Sequence, residues 1–323
     1  MASLKKKRKN QSPSSASVNT NRLFWSRGRA ILALFVVALL GWGMHSVWQH
    51  VAPSVIHRDR YLLTADGISI STLPPWITAD VRMEVVRNSG LDRRLSVLDE
   101  AFVNVVEDAF SLHPWVESVD KITKSYPPAV FVELTFRRPV AVVELTGPEG
   151  VQLIPVDKHG IQLPAEDVPD IRKRYLPRIG GIVGRPPVGQ PWADPRVIGA
   201  TELADRLADT WESMHLVDIL PSARPEIRDE HRYFVFHLIT KGGTRVVWGA
   251  APSNAPPGED DFETKLQRLR ECTNRLGPLD SVRGPAVVDV RRELAITPRT
   301  VKNATPRTVN NLPTDDQQGA LVK

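Results

Sequence analysis

The chain has 323 residues, with 42 Lys+Arg against 37 Asp+Glu, a formal charge of +5 and a pI near 9.4. Eight of the cations lie in residues 1–29, which hold no acid; the rest of the chain has 34 basic against 37 acidic residues, a charge near −3. The basicity belongs to a tail, which argues against a nucleic-acid-binding face, and the single cysteine, Cys272, excludes an intrachain disulfide framework and a multi-cysteine metal site.

The length allows two folded domains of ~100–150 residues each. At 41% hydrophobic and 24% charged the composition is that of globular protein. The 27 prolines favour turns and short strands over long helices.

Residues 1–29 read as a basic, disordered cytoplasmic tail, Ser/Asn-rich over 10–21. Residues 30–50 read as a transmembrane signal anchor. Ala30 to Trp48 carries no charge, and these 19 residues would span about 28 Å as a helix, one bilayer core. Trp25 and Trp48 suit interface anchors. No Ala-x-Ala follows the run, and it is too long for the core of a cleaved signal peptide. The positive charges before it predict a cytoplasmic N-terminus and an extracytoplasmic remainder, with the helix in the cytoplasmic (inner) membrane.

A stalk is expected over 51–60. Tyr61–Ile70 reads as a strand pair or a strand with a turn at Asp66-Gly67. Helices are predicted over Thr78–Asn88 and Leu98–Leu112, from apolar residues at i, i+4 spacing. Strands follow at Val116–Lys124 and Ala129–Phe136, joined at Tyr126-Pro127-Pro128. The order β-α-α-β-β predicts a helix pair on one face of a small sheet. Val140–Leu145, Val151–Val156 and Gly160–Leu163 read as further strands, with a hairpin turn at Asp157–Gly160. Residues 164–194 read as a long Pro/Gly-rich connection. Asp194 and Pro195 mark a helix start, and Ala200, Leu203, Ala204, Leu207, Trp211 and Met214 its buried face. Strands are predicted at Val217–Leu220, Tyr233–Thr240 and Thr244–Gly249. An acidic loop (250–261), a helix from Phe262 closed at Gly277-Pro278, and strands at Ala286–Val290 and Leu294–Thr297 complete the pattern. TPRTVKN at 297–303 returns as TPRTVNN at 305–311, a polar duplication in a tail (299–323) read as disordered.

Two blocks of residues carry a family resemblance. The first is His113-Pro114-Trp115-Val116, then Tyr126-Pro127, Val130–Glu133, Arg137-Arg138-Pro139-Val140-Ala141, and the turn Asp157-x-x-Gly160 with Leu163-Pro164. The second is Gly243 to Trp248-Gly249, Lys265-Leu266-x-x-Leu269, and Asp289-Val290-Arg291. Behind a bitopic anchor, their order resembles the bacterial cell-division proteins FtsQ/DivIB. The resemblance implies an α+β fold, with a POTRA-like domain at 57–138 and a larger β-domain with an antiparallel sheet and helices at 139–298. It implies a non-enzymatic divisome scaffold without cofactor, metal or nucleic acid, found at the division site and linked to septal peptidoglycan synthesis. Its partners would be FtsB/DivIC-like and FtsL-like bitopic proteins. The receiving edge would be the last strand, Leu294, Ala295, Ile296 and Thr297, where a partner strand can add.

The same residues have plainer readings. Tyr126-Pro127-Pro128 is a turn, Arg138-Pro139 forces an extended step, and Asp157 bonds its own turn. Asp157 with His159 could form a ligand pair, but a hairpin turn explains them better. Glu259-Asp260-Asp261 could hold a cation, but an acidic helix start is the simpler reading. No G-x-S-x-G, H-E-x-x-H or Walker motif is present. Two other function classes fit the outline. A POTRA-bearing assembly or chaperone protein would need tandem units or a barrel. A membrane-tethered envelope enzyme would need a pocket with convergent titratable groups.

Overall fold

The computed structural model describes residues 20–56, 61–91, 95–148 and 150–299. The chain divides into two units, Met1–Leu62 and Leu63–Lys323. In the first, a helix α1 runs over Thr20–Ile56. Leu32–Val51 within it is long and apolar enough to cross a membrane, with a mean hydropathy of 1.4. Its large apolar side chains, among them Phe35, Leu40, Trp42 and Trp48, are exposed. The helix starts inside the stretch expected to be disordered and continues into the expected stalk. A long apolar run has already met the cost of nucleation, so flanking residues add at one hydrogen bond each. Residues 1–19, which include the Lys5–Lys9 cluster, lie outside the described residues.

The second unit begins with strand β1 (Ile68–Ile70), helices α2 (Val81–Ser89) and α3 (Phe102–Ser111), and strands β2 (Val116–Ser125) and β3 (Ala129–Phe136). β3 lies between β1, its parallel neighbour, and β2, its antiparallel one. Val81, Val85 and Val86 of α2 and Phe102, Val106 and Phe110 of α3 are buried, as are Val130, Val132 and Leu134 of β3. Asp80 caps α2 by accepting from the Met83 N–H, and Gly90, at φ 72°, ends it. Both helices start later than their apolar spacing implies. Leu98, read as the first residue of the second helix, is half exposed in a turn before it.

An eight-stranded sheet follows. Its members are β4 (Ala141–Gly147), β5 (Gly150–Val156), β6 (Arg178–Ile179), β7 (Leu216–Pro221), β10 (Phe236–Thr240), β11 (Arg245–Gly249), β12 (Val287–Asp289) and β13 (Ala295–Thr297). A separate hairpin, β8 (Glu226–Arg228) with β9 (His231–Tyr233), lies between β7 and β10 in the chain. The order across the sheet is β13-β12-β11-β10-β7-β6-β4-β5. The sheet is mixed where an antiparallel one was expected: β4 with β6, β6 with β7, and β11 with β12 are parallel. A parallel neighbour needs a crossover. The 164–194 connection supplies one, with helix α4 (Asp170–Tyr175) leading into β6. The stretch expected to be only a connection therefore contributes an inner strand of the sheet. Gly160–Leu163, expected as a strand, forms isolated bridges only.

Helices α5 (Pro195–Arg206), α6 (Ala208–Trp211) and α7 (Phe262–Leu276) pack on the large sheet. Asp194 caps α5 from the position expected. Val197, Ala200, Leu203 and Ala204 of α5 and Leu266, Leu269 and Cys272 of α7 join Ile179, Ile219, Leu238, Val246 and Val288 in one core. Gly199 lets α5 approach closely, since a Cβ there would fall 2.5 Å from the Phe236 ring.

Several polar side chains are buried with this core, among them Asp218, Thr240 and Lys265. Lys265 is 2% exposed, and its Nζ bonds Glu259 Oε1 and lies 5.6 Å from the centre of the Trp248 ring. The same Glu259 oxygen accepts from the Ala250 N–H at 2.8 Å. Removing one partner of a buried pair leaves an uncompensated charge, at a cost of about 3–5 kcal/mol. Lys265→Met should lower unfolding stability by that order in chemical denaturation. Lys265→Met with Glu259→Gln should recover most of the loss, because no charge is then stranded.

Candidate interaction site at the free sheet edge

The sheets end on strands of unlike character. β2 is ten residues long, but two register shifts break its pairing and it carries Glu117, Asp120, Lys121 and Lys124. Bulges and charges blunt such an edge against further pairing. β5 is covered over its second half, where the Leu163 N–H donates to the Pro155 carbonyl and Val156 bridges Gln162. Its first half, from Gly150 to Leu153, is open among the described residues, and Val151 is exposed.

β13 closes the other end of the large sheet. It pairs antiparallel with β12, with Val287 opposite Thr297, Val288 opposite Ile296 and Asp289 opposite Ala295. Ile296 and Leu294 are partly buried against the core, while Ala295 and Thr297 are exposed. Leu294, expected within this strand, precedes it. Alternation explains the burial, since neighbours in a strand face opposite sides. Among the described residues no strand pairs with the outer side of β13. The expected tail begins with a fixed residue: Arg299 Nη2 donates to the Pro285 carbonyl at 3.3 Å. Residues 300–323, with most of the duplicated heptad, lie outside the described residues.

Most of the residues that carried the resemblance fall into two groups. Gly249, Asp289 and Arg291 meet behind the free edge. Arg291 grips Asp289 with Nε and Nη2, the shortest contact 2.7 Å. Gly249 has φ 95°, and a Cβ there would run into the Glu259 carboxylate and the Arg291 side chain. Trp115, Arg137, Pro139, Val140, Asp157 and Gly160 lie together at the junction of the two sheets. The Arg137 N–H donates to the Trp115 carbonyl, and Arg137 Nη1 bonds Asp157 Oδ2 at 2.8 Å. The other Asp157 oxygen accepts from the His159 and Ile161 N–H groups, so the carboxylate serves its turn and its arginine. The Val140 N–H bonds the Val156 carbonyl. Val116 starts β2 here, and Pro114 packs beside Gly189. Tyr126 and Pro127 are not part of either group; they form the cis turn between β2 and β3, with Tyr126 exposed.

A cleft of about 270 Å³ opens at the junction, lined by Glu117, Arg138, Val140, Asp157, Lys158 and Asp205. Its charges face one another: Lys158 to Glu117 at 2.9 Å and Arg138 to Asp205 at 2.9 Å. The hydrogen bond from Lys158 holds the Glu117 carboxyl below its ordinary range. Asp261, read as an acidic helix start, accepts from the Thr264 N–H as the cap of α7. Among the described residues no cluster of three or more His, Cys, Asp or Glu is placed to hold a metal ion.

Sequence reasoning missed three groups. Asp167 accepts from Trp115 Nε1 at 2.8 Å, and its backbone carbonyl accepts from the Thr78 N–H and hydroxyl, tying the 164–194 connection to the small sheet. Arg178 Nε bonds the buried Asp218 at 2.8 Å across β6 and β7. His237 lies on the sheet face away from α5 and α7, and its Nδ1 is buried without a hydrogen-bond partner among the described residues. No motif marks any of the three. A lone polar residue within an apolar strand was the signal at Asp218 and His237.

Burial lowers the His237 pKa below 6.5, and Arg245 and Arg291 add to that, while Asp289 and Glu226 oppose it. The unfolded chain then takes the proton at higher pH than the folded one. Stability present above pH 6.5 is therefore lost as pH falls through the folded value. Denaturation midpoints at about pH 8 and about pH 5 should differ less in His237→Gln than in the unaltered protein.

No protein-family model matches the chain, and no curated protein matches it.

Proposed function

We propose that the chain is a single-pass, non-enzymatic division scaffold of the FtsQ/DivIB type. Its N-terminus is cytoplasmic and the second unit is extracytoplasmic. The small β-α-α-β-β unit corresponds to a POTRA-like module and localises the protein. The large sheet holds FtsB/DivIC-like and FtsL-like bitopic partners that activate septal wall synthesis. One observation carries the reading: β13 ends a mixed sheet with its outer backbone row unpaired among the described residues. An unpaired edge is a template for a partner strand. The apolar span at Leu32–Val51 and the order of the small sheet, β1-β3-β2, support the same reading.

Proline tests the edge at two adjacent positions. Successive residues of an antiparallel strand turn their N–H groups alternately toward the neighbour and outward. Of Ala295→Pro and Ile296→Pro, one removes an outward donor and the other a bond to β12. The first should keep its melting midpoint and lose co-purification of the partner. Val151→Pro, on another edge that is open among the described residues, should retain the partner. Retention by both β13 variants overturns the assignment. A fluorescent fusion in growing cells should collect at midcell; an even envelope distribution overturns the division role.

A further inference from the structure

The crossover between β5 and α5 carries α4 (Asp170–Tyr175), which the edge reading does not use. Ile171 is 59% exposed and Tyr175 77% exposed, four residues apart and so on one side of the helix. Arg172 and Arg174 between them are exposed, and neither guanidinium has a hydrogen bond or ion pair among the described residues. The third cation is committed: Lys173 Nζ donates to the Ala165 carbonyl at 2.9 Å and to Asp170 at 2.8 Å. One cation thus fastens the helix, and two remain exposed beside two apolar side chains, without a hydrogen bond among the described residues, Arg174 acting on Asp170 only through its charge.

That combination suits the surface of an anionic bilayer. Apolar side chains enter the acyl boundary, a tyrosine sits at headgroup level, and guanidinium groups fork onto phosphate oxygens. The bilayer follows from the same chain. Leu32–Val51 is long and apolar enough to span one, so a membrane surface is held near the second unit at high effective concentration. We propose that α4 docks on anionic lipid headgroups of the membrane in which α1 is anchored. The inference rests on the reading of α1 as a membrane span.

The test uses the full chain in lipid nanodiscs and a fluorophore on Ile171→Cys. The native Cys272 is buried and burial pushes its thiol pKa up, so it stays unlabelled in the folded protein. With nitroxide at the lipid headgroups, the label should be quenched in discs of anionic lipid and far less in zwitterionic discs. The same label on Ile227→Cys, also at an exposed site, should not be quenched. R172Q with R174Q should lower the ratio of docked to free protein about thirty-fold, at about five-fold for each cation near an anionic surface. Quenching at 171 no greater than at 227, or unchanged by removing both charges, overturns the proposal. A label on Gly43→Cys with acyl-chain nitroxide reports insertion separately. Quenching at 43 without quenching at 171 removes the docking alone; no quenching at 43 removes the anchor and the docking together.

Discussion

The buried pair of Lys265 and Glu259 holds the free end of the large sheet together. β12 runs parallel to β11, so the chain must cross over between them, and α7 is that crossover. Glu259 takes Lys265 from the helix and the Ala250 N–H from the end of β11. One carboxylate therefore fixes both ends of the acidic loop. Gly249 turns at φ 95° to make room for it. Arg268 completes the clasp, donating to the Val290 carbonyl at 2.9 Å and to Asp260. Desolvating two charges costs several kcal/mol per ion, so such a pair adds little net stability. What it adds here is position: the helix can seat on the sheet in one register only, because any other leaves Lys265 buried without a partner.

A second set of polar contacts joins the two sheets. Arg137, two residues before Pro139, bonds Asp157 in the turn beyond β5. Trp115 donates to Asp167, and burial raises the Asp167 pKa even though that bond opposes it. Trp76 Nε1 donates to the Arg137 carbonyl at 3.0 Å. The linking peptide is thus gripped by an indole from one side and a carboxylate from the other. Proline at 139 restricts the residue before it to extended backbone. Arg137 and Pro139 are, in physical terms, braces of a joint.

The elements most legible in the sequence were those whose own residues decide them. Phe102, Val106 and Phe110 lie on one stripe of a helix; Val130, Val132 and Leu134 alternate along a strand. Asp194-Pro195 and Gly277 are local punctuation, and both act where they stand. β6 was illegible because two residues have no period. Arg178 and Ile179 are a strand only because β4 and β7 supply ladders on both sides. The parallel pairings were hidden for a related reason, since direction depends on the crossover and not on the strand. At the edge, a strand over Ala295–Thr297 could be read from its residues, and its place at the end of the sheet only through the resemblance. The groups behind it could not, because Arg291, Asp289, Gly249 and Glu259 meet through tertiary packing.

The length of β13 limits what strand addition there can achieve. Three residues offer only a few outward backbone groups, and each hydrogen bond contributes about 1 kcal/mol net. A micromolar complex needs about 8 kcal/mol beyond the costs of association. The edge alone falls short. Two features of the chain can make up the difference. The half-exposed Ile296 and the Arg291–Asp289 pair lie beside the edge and give an added strand side chains to pack on. If the partner is membrane-anchored, as the proposed function requires, a shared bilayer confines both to one plane, which raises effective concentration without any new contact. In the proposed role, a weak edge behind an anchor would be selective by place, pairing where a partner shares the membrane and staying open where none does.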